Sequence, residues 1–130
     1  VRDLSHYDAL PLDFDSLRPV GAGETLCVQA KAAELLVPRL LRIPHELVCD
    51  FELVDILVRG QSQYQEPGVI PCDVFSDLRV GVELALDPCE RNDLVVLRVR
   101  NTSARALVFR ARLYACAIDA VYWDAGRGMP

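Results

Sequence analysis

The sequence predicts an all-β fold: a two-sheet antiparallel β-sandwich, with a short helix at most and extended terminal arms. Strand-like runs recur at roughly 8–12-residue intervals with turn signals between them. The run 78–86 alternates cleanly, with Leu78, Val80, Val82, Leu84 and Leu86 on one face. The runs 93–100 and 106–116 are strand-like too, and flank the polar or small residues 101–105. Jelly-roll and immunoglobulin-like strand orders both satisfy this pattern.

Taken in order, residues 1–9 carry no period and form an N-terminal arm, the sandwich occupies 10–118, and 119–130 form a C-terminal arm. Residues 10–15 suit a short edge strand, because Pro11 cannot donate to a ladder. After the Gly21-Ala-Gly23 turn, residues 24–30 form a strand with Leu26, Val28 and Ala30 on one side. Residues 31–36 favour a short helix or loop, stopped by Pro38. Residues 39–43 are a strand ended by Pro44. The run 48–58 is long and apolar on both sides, as a central strand is. Residues 59–68 are the most loop-like stretch, and 69–75 an irregular strand broken by Pro71.

The runs on either side of 101–105 are expected to close as a β-hairpin. Val99 then faces Leu107, Leu97 faces Phe109 and Val95 faces Ala111, which makes one side wholly apolar. The other side mixes Leu94, Val96 and Val108 with Arg98, Arg100, Arg110 and Arg112, too apolar for a freely solvated face. A simple hairpin around 87–92 mismatches the even-numbered apolar set before it with the odd-numbered set after it. A bulge there, or a crossing to a second sheet, resolves the mismatch.

At 130 residues the chain is one domain, and its 52% apolar content is high enough to argue against disorder. That surplus in so small a domain suggests apolar surface buried between subunits. A net charge of −5 argues against nucleic acid as a direct ligand. No apolar run is long enough to span a membrane, and the opening residues lack an apolar signal core. Five widely spaced cysteines (Cys27, Cys49, Cys72, Cys89, Cys116) with no CxxC fit buried free thiols better than one or two disulfides or a zinc site, and point to synthesis in a reducing cytoplasm.

Chemistry is sparse. The two histidines, His6 and His45, fall in the arm and at a turn, and no nucleophile, phosphate-loop or metalloprotease motif occurs. No catalytic, cofactor or metal residues are assigned. Asp13 with Asp15, and Asp50, Glu52 and Asp55, could offer oxygens to calcium, but solvated faces and ion pairs are their ordinary use. Asp55 shares the parity of Phe51, Leu53 and Leu57, so on a core side it needs a partner such as arginine. The four hairpin arginines are expected to pair with acidic residues of a neighbouring copy. Asn101-Thr-Ser103 matches a glycosylation sequon, for which a turn role suffices.

Several segments together resemble the small β-sandwich structural proteins of bacterial viruses. These are Val37-Pro-Arg-Leu-Leu-Arg-Ile-Pro44, Asp55-Ile56 running to Gly60-Gln-Ser-Gln63, Ile70-Pro71 to Phe75-Ser76, and Val99-Arg-Asn-Thr-Ser103. The resemblance covers about residues 10–117 and implies a single sandwich that tiles with copies of itself into a shell, without an active site. The high cysteine content departs from it. The function expected is that of a non-enzymatic structural protein, a homo-oligomer found in a virion or assembled particle, with other shell proteins as further candidate partners. Its interface would use Leu94, Val96, Arg98, Arg100, Val108, Arg110, Arg112, Tyr122 and Trp123. The alternative is a ligand-binding sandwich for a glycan or acidic ligand, with Tyr64 in the 59–68 loop. An enzyme built around His45, Asp50 and a cysteine is a third reading.

Overall fold

The computed structural model describes residues 11–64, 69–76, 84 and 86–117. The elements run β1 (Leu12–Val20), β2 (Thr25–Lys31), β3 (Leu36–Arg42), β4 (Phe51–Val58), β5 (Gln61–Ser62), β6 (Ile70–Pro71), a 3-10 turn (Cys72–Phe75), β7 (Leu94–Asn101) and β8 (Leu107–Ala117). Two antiparallel sheets result. The first has the order β1-β8-β3; the second has β2-β7-β4-β5, with β6 also pairing β4. Both arms, and the 78–86 strand apart from Leu84 and Leu86, lie outside the described residues.

The strands β1 to β4 alternate between sheets, and the last two insert themselves between earlier ones, β7 between β2 and β4 and β8 between β1 and β3. Among the described residues this interleaving fits the jelly-roll alternative better than the immunoglobulin-like one. An immunoglobulin-like order would keep consecutive strands together as hairpins, and here β1/β2, β2/β3, β3/β4 and β7/β8 all change sheet. Of the two resolutions open around 87–92, a bulge or a crossing, the described residues have the crossing. Cys89 exchanges backbone bonds with Leu36 of β3 at 2.8 and 3.0 Å, whereas β7, just beyond, belongs to the other sheet.

The hairpin expectation is overturned. Strands β7 and β8 do not pair; they stack face to face across the core. The apolar set was nonetheless identified correctly, because residues that face a hairpin partner and residues that face an opposing sheet share one parity. Val95, Leu97 and Val99 are buried from one side, and Phe109, Ala111 and Leu113 from the other. Phe109 meets Phe51 of β4 edge-to-face at 5.1 Å. Phe14, Val28, Leu53, Ile56 and Cys72 complete the centre of the core.

A bulge corrects a second expectation. The β4–β7 register slips between Leu53 and Asp55, so Ile56 and Val58 point inward after Phe51 and Leu53. Asp55 therefore lands on the outer face, half-buried, opposite Arg98. Between β2 and β3, residues 33–35 form bends, the loop rather than the helix of the two alternatives for 31–36. Of the cysteines, Cys72 and Cys89 are buried as expected. Cys27 and Cys49 are exposed and Cys116 is half-buried. Burial pushes the Cys72 thiol up to about 12 and the Cys89 thiol to about 11.

Asn101 is the polar keystone. It is fully buried where the chain leaves β7 for the other sheet. Its amide donates to Val20 O at 2.8 Å and Arg105 O at 2.7 Å, while its Oδ1 accepts from Ser103 N at 2.9 Å and Ser103 Oγ at 2.7 Å. All four hydrogen-bonding positions of the side chain are thereby used. The sequon nitrogen is engaged inside the fold, not presented on a surface.

Candidate functional site

Because β7 and β8 occupy different sheets, the anticipated interface residues fall on two opposite outer faces. Leu94, Val96, Arg98 and Arg100 lie on the outside of the second sheet; Val108, Arg110 and Arg112 lie on the outside of the first. Tyr122 and Trp123 lie outside the described residues.

The outer face of the second sheet is built in cross-strand rows. Thr25, Arg100 and Glu52 form one row, Cys27, Arg98 and Asp55 the next, and Gln29, Val96 and Leu57 a third. Lys31 stands beside Leu94 at the end. Arg100 pairs with Glu52. The Cys27 sulfur, and after it the Asp55 carboxylate, hold the Arg98 guanidinium more firmly protonated. Asp55 Oδ1 accepts from Ile56 N at 2.8 Å and Ser62 Oγ at 2.7 Å. The face thus divides into a charged half and an apolar half, where Val96 and Leu57 are half-buried and Leu94 is 37% exposed.

The first sheet has a different outside. Arg112 stands between Asp13 of β1 and Arg42 of β3. The two arginines turn apart, Arg112 Nε to Asp13 Oδ1 at 2.6 Å and the buried Arg42 Nη1 to Ser76 O at 2.9 Å. Arg110 is exposed opposite Asp15, whose carboxylate accepts from Leu17 N at 2.8 Å instead. Arginines expected to seek carboxylates on a neighbouring copy thus find several within the chain.

The carboxylates considered for calcium are dispersed among such pairs. Asp50 lies 3.9 Å from Arg105, and among the described residues no group of three histidine, cysteine or acidic side chains converges on one point. His45 is exposed at a turn, its Nδ1 3.5 Å from Glu46.

Tyr64, the candidate ligand contact, is half-buried against the core, and its hydroxyl donates to Leu53 O at 2.7 Å. Burial, and then the Asp55 charge, push this phenol above its ordinary range. Tyr64 therefore staples its loop to β4. A separate open groove of about 360 Å³ lies between Val48, Phe51 and Pro71, with Glu52 and Asp73 at its walls. Tyr64 is not part of its lining.

Sequence reasoning missed the exposed Leu17, which sits 87% exposed at a φ of 62°. The Asp15-Ser16 pair before it was the available signal, since both residue types bond locally to backbone. Among the described residues no helix is long and apolar enough to cross a membrane. No protein-family model matches the sequence, and no curated protein or solved structure is significantly similar to it.

Proposed function

We propose that this chain is a non-enzymatic structural subunit that assembles with copies of itself into a shell or lattice, as a virion or virus-like particle component does. The observation that carries the reading is the apolar half-face of Leu94, Val96 and Leu57 on a sheet whose neighbouring arginines are held within the chain, Arg100 by Glu52 and Arg98 by the Cys27 sulfur and, after it, the Asp55 charge. A surface of this kind gains from being covered without leaving an unpaired charge behind. The jelly roll also serves lectins and cupins as well as capsids, so the fold contributes only an analogy.

Size-exclusion chromatography with light scattering tests this directly. The wild type elutes as a multimer, and Val96→Lys shifts it toward the single chain while the far-ultraviolet circular dichroism stays that of a sheet protein. A wild type that remains a single chain at high concentration, or one that binds a glycan saturably and loses that binding in Tyr64→Ala, contradicts the proposal.

A further inference from the structure

A sandwich has four sheet edges, and a strand at an edge carries backbone groups that another chain can pair with. Two of these edges are blunted among the described residues, and at a third only part of the chain that covers it is described. At β1, Pro19 and the charges of Asp13 and Asp15 combine with a register break between Asp15 and Pro19. The outer edge of β3 is occupied: Leu84 N donates to Arg39 O at 2.7 Å, Ile43 N to Phe75 O at 2.9 Å, and Cys89 bonds Leu36. Beyond β4 stand only the two-residue strands β5 and β6, the latter ending in Pro71.

The fourth edge, β2, has none of these devices. Its pairing with β7 runs unbroken from Thr25 opposite Arg100 to Lys31 opposite Leu94. It contains no proline and a single charge, at its last residue. Asn101 N donates to Glu24 O at 3.0 Å and Ala32 N to Asp93 O at 2.9 Å, so the even-numbered residues of β2 bond inward to β7. The backbone N–H and C=O groups of Thr25, Cys27, Gln29 and Lys31 consequently point away from the sheet, and all four residues are exposed.

We infer that this edge pairs antiparallel with the β2 edge of a second copy, about a twofold axis at Val28, making one continuous sheet from two. The inference rests on the self-assembly reading and names its contact. Among the described edges β2 alone is unblunted, and pairing β2 on β2 is isologous and closes. The axis at Val28 sets Thr25 opposite the second copy's Lys31 and Cys27 opposite its Gln29. Outward-pointing groups then meet outward-pointing groups along the whole strand. On the inner side Val28 meets its own copy and Leu26 meets Ala30, and both Leu26 and Ala30 are half-buried rim residues that gain cover.

Hydrogen exchange combined with light scattering tests the pairing on the full chain. In the assembled wild type the amides of Thr25, Cys27, Gln29 and Lys31 exchange about tenfold or more slowly than in dilute, dissociated protein. Gln29→Pro removes an outward donor and no bond to β7, so it lowers the assembled mass while leaving the melting transition of the sandwich in place. A multimer whose four amides exchange unprotected, with Gln29→Pro of unchanged mass, overturns the pairing and leaves self-assembly standing. Protection that persists in a single chain also overturns it, because another part of the same chain then covers the edge. A wild type that never associates removes both this inference and the reading beneath it.

Discussion

Strands β1 and β2 are consecutive, lie in different sheets, and each forms an edge, yet they treat that edge in opposite ways. In β1, Asp15 and Ser16 fold their side chains back on the main chain. Leu17 N donates to Asp15 Oδ1, Ser16 Oγ donates to Arg18 O at 2.7 Å, and Phe109 N reaches Ser16 Oγ instead of a backbone carbonyl. The ladder is thereby interrupted and Leu17 thrust out. In β2 nothing interrupts the ladder. Edge protection has a conformational cost, and its absence marks a strand that can accept a neighbour. The two strands share one anchor: Asn101 holds Val20 O at the end of β1 through its side chain, and Glu24 O and Gly23 N at the start of β2 through its backbone.

The largest effect is expected from breaking that anchor. Asn101→Ala takes the side-chain amide donor from the buried Val20 O and leaves Arg105 O with Ser103 Oγ alone, and should cost about 3 kcal/mol in denaturant unfolding. A loss below about 1 kcal/mol would mean that water or a rearranged turn replaces the amide. A pair of glycine substitutions sharpens the contrast next. Leu17→Gly relieves a left-handed residue and should stabilise by about 0.5–1 kcal/mol, whereas Gln29→Gly in the regular β2 should destabilise by about as much. Equal signs would show that β1 is not the strained edge.

The turn joining the strands supplies a pH test. The Arg18 guanidinium, at 2.7 Å, and then the Gly21 N–H hold the Glu24 carboxyl down at about 2, against an ordinary value of 4.5. A depressed carboxyl contributes stability above the unfolded value of 4.5, and that contribution is lost as pH falls through about 2. An NMR titration of Glu24 checks this, and Arg18→Ala should return it toward the ordinary range. The smallest effect is chemical. Near neutral pH a thiol reagent labels Cys27 on the open edge strand quickly, while Cys72, buried and raised to about 12, reacts only on unfolding.

Much of this fold was legible in the sequence, because alternation reports which residues face the core. Leu26, Val28 and Ala30 of β2, and the inward sets of β7 and β8, were all identified by parity. What alternation does not report is the partner. The same parity serves a hairpin neighbour and an opposing sheet, which is why β7 and β8 were expected to pair. Nor does it locate a bulge: the slip before Asp55 is made by backbone, and the residues Val54 and Asp55 carry no mark of it. Asn101 illustrates a third limit, since an asparagine that turns the chain on the surface and one that seals a buried crossing look alike in one dimension. On the outer faces, the residue types of Arg98, Arg100 and Arg112 were informative, but their partners Cys27, Glu52 and Asp13 come from other strands. Only the strand order brings them together.

Electron microscopy of the purified chain at high concentration is the most direct measurement of whether other copies cover these surfaces. Repeating particles, tubes or sheets are the expected outcome. A uniform field of single small molecules, with no higher-order species at any concentration, would contradict it.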